Sequence, residues 1–124
     1  MPNILNQDTI ASLRDLGNDF FRELIETFLQ SSQDQIELIR RGVREESGSD
    51  IEAAAHNLKG ACYSQGAEEL STLCAEMEEK GREDNLSEID GLLTLMEESY
   101  ELTTVALREI LKDGNQLSVK DGNQ

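Results

Sequence analysis

Apolar residues recur at helical spacing along most of this chain, and strand-like alternation appears nowhere. The most regular run comes last: Ile89, Leu93, Met96, Tyr100, Thr103, Leu107 and Ile110 follow one another at steps of four, three, four, three, four and three. That rhythm keeps one stripe of a helix against a neighbour, and it predicts a helix of about 27 residues, ~40 Å long. Asn85 with Glu88 offers it a cap. Ahead of it, Ala67, Leu70, Cys74 and Met77 predict a helix that stops at Lys80-Gly81, with a loop at Arg82-Glu83-Asp84.

Ile51, Ala55, Leu58 and Cys62 predict another helix, with residues 45–49 as the turn before it. Its start signal is Ser49-Asp50-Ile51-Glu52, in which Ser49 caps and Glu52 reaches back, and Gly66 marks its far end. Phe20, Phe21, Leu24, Ile25, Phe28 and Leu29 mark one side of an earlier helix that Asn18 can cap. The pattern resumes at Ile36, Ile39 and Val43, and Gln30-Ser31-Ser32 leaves a break between the two runs open. A short first helix, Asp8 to Leu16 with Ile10, Leu13 and Leu16 apolar, ends at Gly17. Short turns oblige consecutive helices to run antiparallel. The expected architecture is therefore all-α: an antiparallel up-down-up-down four-helix bundle with a short extra N-terminal helix packed at one end. One domain is expected over residues 1–112. Residues 113–124 lack an apolar period and read as a flexible C-terminal tail, in which Asp113-Gly114-Asn115-Gln116 recurs as Asp121-Gly122-Asn123-Gln124.

Charge narrows the range of partners. With 26 acidic against 11 basic residues the 124-residue chain carries a formal charge of −15. Nucleic-acid binding needs a basic stripe to neutralise phosphates, and anionic membranes repel such a surface. A partner with a basic docking face would be steered toward it. No segment approaches the ~20 apolar residues that span a bilayer, and Met1-Pro2-Asn3 opens no signal-peptide pattern, so a cytoplasmic location is expected. Cys62 and Cys74 both fall on apolar stripes and read as core residues. With one histidine they are too few for a zinc site, and a di-iron bundle needs more than Glu52 and His56. No Gly-rich phosphate loop and no carboxylate cluster suited to Mg²⁺ is present, so the chain is not expected to act as a kinase by itself.

The candidate chemistry sits in Ala55-His56-Asn57-Leu58-Lys59-Gly60, around the only histidine. At ~100° per residue, His56, Lys59, Gly60 and Tyr63 gather roughly 120° around the helix from the buried stripe. His56 is thus expected mid-helix and exposed. An exposed imidazole is mostly neutral at pH 7 and can act as a nucleophile. Lys59, one turn on, offers a point charge to an anion carried there, and Gly60 leaves the approach clear. Tyr63 and Asn57 flank the site, Asn57 as ordinary surface.

The run His56-x-Leu58-Lys59-Gly60, with Gly66-Ala67 and Leu70 behind it and Leu73-Cys74-x-x-Met77-Glu78 beyond, resembles the signature of histidine-containing phosphotransfer (HPt) domains of two-component phosphorelays. Two positions depart from that pattern. Gln65 stands where an aliphatic residue is usual, and Tyr63 is bulkier than the small residues common there; both bear on packing and partner preference rather than on the chemistry. The resemblance implies a phosphocarrier in which His56 accepts a phosphoryl group from the phospho-aspartate of a receiver domain and passes it to another receiver. Lys59 would support the phosphoryl group, and Gly60, Tyr63, Asn57 and Gln65 would shape access and docking. Response-regulator receivers and a hybrid histidine kinase would be the partners of a monomer. The receiver would supply Mg²⁺, and the chain would need no cofactor of its own. Two other classes fit the residues: a helical adaptor whose histidine is incidental, and a phosphatase-like regulator in which Gln65 or Glu78 orients water at the exposed face.

Overall fold

A computed structural model of the chain describes residues 4–122, with side chains for residues 4–113. Five helices follow in order: α1 (Gln7–Arg14), α2 (Asn18–Arg44), α3 (Gly48–Ser64), α4 (Glu68–Arg82) and α5 (Ile89–Gly122), and no strand occurs among the described residues. α2 packs on α3, α3 on α4, α4 on α5 and α5 back on α2, while α1 leans on α2. The predicted stripes form the core: Ile51, Ala55, Leu58 and Cys62 of α3 meet Ala67, Leu70, Cys74 and Met77 of α4, all fully buried. Met96, Thr103 and Leu107 close the core from α5, and Ile25, Ile36 and Ile39 from α2.

Named contacts fix the directions of three pairs. α3 and α4 run antiparallel, with Glu52 bonded to Arg82, His56 to Glu78 and the Lys59 carbonyl to the Ser71 hydroxyl. α2 and α5 run antiparallel, with Arg22 bonded to the Leu111 carbonyl, Ser32 to Tyr100 and Arg40 to Glu97. α2 and α3 do the same, since Gln65 reaches Leu24 at one end and Gly42 abuts Ile51 at the other.

Several boundaries differ from the sequence reading. α2 is unbroken through Gln30-Ser31-Ser32, because Ser32 turns inward and bonds the Tyr100 hydroxyl at 2.8 Å. Its cap is Gly17 (φ +107), and Asn18 is already the first helical residue. α3 starts earlier than expected, capped by Ser47, whose hydroxyl accepts from the Asp50 N–H; Ser49 lies inside the helix. Just inside this start, α3 passes close to α4. A Cβ on Gly48 would lie 2.6 Å from the Gly81 carbonyl oxygen, and a Cβ on Gly81 would lie 2.7 Å from the Gly48 carbonyl oxygen and 2.8 Å from the Glu52 nitrogen. Gly81 is therefore a crossing point of two helices rather than a helix stop, and α4 runs on to Arg82. Asn85 accepts from the Ser87 hydroxyl, and α5 begins at Ile89. Phe20 and Leu16, assigned to apolar faces, are exposed. α5 is 34 residues long and continues past Lys112. The helix thus takes in most of the stretch read as a tail, while the side chains from residue 114 on and the whole of residues 123–124, and with them the DGNQ repeat, lie outside the described residues.

Candidate functional site

Burying the apolar stripe of α3 turns its opposite face to solvent. The His56 side chain is 65% exposed there. Gly60, one turn on, has no atom within 4 Å of the place a Cβ would occupy. Tyr63, two turns on, is 71% exposed. These three positions form an open strip along α3, as the helical angles predicted.

The inner edge of the imidazole is held from the neighbouring helix. Nδ1 of His56 lies 2.9 Å from Oε2 of Glu78, on α4. That carboxylate is only 8% exposed and is shared: Lys59 Nζ lies 2.7 Å from Oε1, and Arg82 Nη2 lies 3.1 Å from Oε2. Arg82 in turn bonds Glu52 of α3 at 2.9 Å. Glu52 is thus the partner of Arg82 rather than a capping-box residue. Ser71 donates to the Lys59 carbonyl at 3.2 Å, which pins α4 against the site.

This geometry sets the state of the ring. The hydrogen bond from Lys59, with a further one from His56, holds the Glu78 carboxyl below the usual carboxylate range, against the opposing effect of burial. An ionised carboxylate only accepts hydrogen bonds, so Nδ1 must carry the proton it donates. In the neutral ring, the lone pair then sits on Nε2, on the solvent side.

The remaining sequence candidates separate. Lys59 is beside His56 but tied to Glu78. Asn57 is exposed on the opposite flank of the helix, where it lines a cleft of about 330 Å³ with Gln35 and Leu38 of α2. Gln65, assigned to the docking face, is buried at 5% exposure; its Nε2 donates to the Leu24 carbonyl at 3.3 Å. It lies two turns beyond Leu58, on the core stripe, so the helical period placed it inward whatever its polarity. Neither side chain is placed to orient water at the exposed face: Gln65 is buried away from it, and three donors already meet Glu78. Cys62 and Cys74 are buried free thiols; their mutual hydrogen bond and burial push the Cys62 thiol up. Sequence reasoning named Glu78 only as a residue to orient water, not as the hydrogen-bond partner of His56, and missed Arg82. The available signal was a carboxylate four residues after buried Cys74, at the edge of the stripe.

The model of the Hpt domain family matches residues 23–111, a span that runs from α2 through most of α5 and includes the whole His56–Glu78 site. The chain belongs to the Hpt domain family. Its role is accordingly phosphotransfer in phosphorelay signalling; Hpt domains are phosphocarriers, not kinases, and work with histidine kinases and response-regulator receivers. Two solved structures share the fold. The histidine-containing phosphotransfer protein B (HptB) of Pseudomonas aeruginosa PAO1 matches with a TM-score of 0.86 at 22% identity, over 91% of this chain and 98% of that one. The HPT domain of a sensor hybrid histidine kinase from Shewanella matches with a TM-score of 0.75 at 17% identity, over 89% of this chain and 95% of that one. Among curated proteins none matches the chain. Among the described residues, no helix is long and apolar enough to cross a membrane.

Proposed function

We propose that His56 is the phosphoryl-carrying residue of a phosphorelay, loaded by one receiver domain and unloaded by another. The Nε2 lone pair attacks the phosphorus of a receiver's phospho-aspartate. The acyl-phosphate P–O bond breaks, and the aspartate carboxylate leaves with the electron pair. The ring gains positive charge as the P–N bond forms, and Glu78, already bonded to the Nδ1 proton, lies where it offsets that charge. In the return step the aspartate of a second receiver attacks phosphorus, and the P–N electrons go back to the ring. Lys59 lies beside the ring on the same carboxylate and can turn to the phosphoryl oxygens as a point charge. Mg²⁺ held by the receivers would supply charge compensation for the phosphoryl group. A cytoplasmic, monomeric carrier suits this role.

The observation that carries this reading is the outward Nε2 of a ring whose Nδ1 is fixed by a buried carboxylate. The experiment is labelling with a phosphorylated receiver domain and Mg²⁺. The expected product is an acid-labile, base-stable adduct, absent from His56→Gln and absent when ATP alone is supplied. Undiminished labelling of His56→Gln, or strong labelling by ATP alone, would overturn the proposal. An adaptor with an incidental histidine would bind the receiver and acquire no label.

A further inference from the structure

On the flank of α3 that turns toward α2, a groove of about 250 Å³ opens between the N-terminal half of α2 and the C-terminal end of α3. Phe20, Leu24, Phe28 and Ala61 give it apolar sides, and Glu23 is the one ionisable residue lining it. Thr27, Ser31 and Ser64 add hydroxyls, and Gln65 adds an amide. Its Nε2 is committed to the Leu24 carbonyl, which fixes the orientation of the amide, and its Oε1 is buried with no hydrogen-bond partner. An acceptor desolvated without a donor is unfavourable, so a donor brought to Oε1 would be favoured there. Phe20, at 49% exposure, leaves a large apolar wall uncovered at the same place.

Apolar walls, one carboxylate and one unpaired carbonyl oxygen fit a basic side chain. Its alkyl stem can lie along Phe20 and Leu24 while its N–H donors meet the exposed Glu23 carboxylate and, as the shielded amide opens to it, Gln65 Oε1, and a cation gains further from the Phe20 face. The formal charge of −15 draws a basic surface to this chain. The groove also adjoins the reactive strip, because Ala61 follows Gly60 directly and Ser64, which lines the groove, follows Tyr63. A receiver that covers His56 closely enough to reach Nε2 therefore covers this groove as well. Resting on the transfer reading above, we infer that the groove is a selectivity pocket that takes one lysine or arginine side chain of the docking receiver domain.

The test uses the full chain and the purified receiver domain that labels His56 fastest, with Gln65→Leu and Glu23→Gln as variants. Labelling of each protein by phosphoramidate, a small phosphoryl donor that needs no docking, normalises the rates. Each variant is expected to raise KM for the phosphorylated receiver about tenfold with little change in kcat, the loss of one hydrogen bond to a charged donor. In a double-mutant cycle, one basic residue of the receiver replaced by Ala should be non-additive with both variants. Wild-type KM in both variants, or additivity with every basic residue of the receiver's docking face, would overturn the inference and leave the transfer reading standing; an ordered water on Oε1 would give that result. Absence of receiver labelling in the presence of normal phosphoramidate labelling would overturn the transfer reading and this inference together. Glu23→Gln sits on an exposed helix face, so the test stands even if Gln65→Leu folds poorly.

Discussion

His56 and Glu78 stand on different helices, 2.9 Å apart between Nδ1 and Oε2, and each depends on the other for its state. The carboxylate selects the tautomer that turns the Nε2 lone pair outward, and the imidazole is one of three donors that allow a carboxylate to sit at 8% exposure. The nucleophile is therefore prepared by the packing of α4 on α3 rather than by α3 alone.

Replacing Glu78 separates orientation from charge. Glu78→Ala leaves Nδ1 without its acceptor and Lys59 without its partner, so transfer should fall roughly 10- to 100-fold, with a stability loss of about 1–3 kcal/mol after allowing for the solvent exposure of Arg82 and Lys59. Glu78→Gln keeps an acceptor oxygen and should retain more activity than Ala. Transfer rates, urea melts and NMR of the ring nitrogens distinguish these cases. An unchanged tautomer in Glu78→Ala would show that the carboxylate does not orient the ring.

Acid should remove part of this contribution. The folded-state pKa of Glu78 is lowered, chiefly by the hydrogen bond from Lys59. A carboxyl lowered on folding stabilises the protein fully above its unfolded value, ~4.3, and the contribution is lost as pH falls through the folded value. The stability difference between wild type and Glu78→Gln should therefore hold down to about pH 5 and shrink at lower pH, where the protonated carboxyl resembles the amide. Denaturant titrations over that range give the answer. A difference that stays constant to pH 3 would mean that Glu78 is not held ionised by its partners.

How far the site was legible follows from which features are local. The stripe Ile51, Ala55, Leu58 and Cys62 and the exposure of His56, Gly60 and Tyr63 are consequences of one helical period, and the structure has both. The carboxylate at His56 depends on the register between α3 and α4, which no single helix records. That register rests on the Gly48–Gly81 approach, and a glycine beside a turn reads equally well as a helix end. Gln65 is a different case: the period placed it inside, but its polar side chain argued for the surface, and the capacity to bond the Leu24 carbonyl decided the matter.

Lys59 should act on the phosphorylated form more than on the fold. Its ammonium is partly exposed, so Lys59→Ala should cost at most about 1 kcal/mol of stability. Removing a charge near the transferred group should slow transfer or shorten the lifetime of the phosphohistidine about tenfold. Quench-flow transfer and the decay of isolated phosphoprotein measure the two effects. Wild-type values for both would make Lys59 only a partner of Glu78.

Two glycines give opposite signatures, and the pair tests whether access or packing governs the site. Gly60 faces open space, and replacing an interior helical glycine by a better helix former should raise stability by up to ~1 kcal/mol. The Gly60→Leu side chain would nevertheless stand where a receiver's active site must approach Nε2, so transfer should collapse while the melting temperature holds or rises. Gly81→Ala puts a Cβ against the backbone of Gly48 and Glu52, atoms that cannot move aside without parting α3 from α4. It should cost about 1–3 kcal/mol, and because α4 carries Glu78, transfer should fall together with stability. Thermal melts and receiver-dependent transfer on both variants decide the matter. Full transfer in Gly60→Leu would mean that the receiver docks without crossing this strip, and an undisturbed Gly81→Ala would mean that the close approach of the two helices is not what holds Glu78 in place.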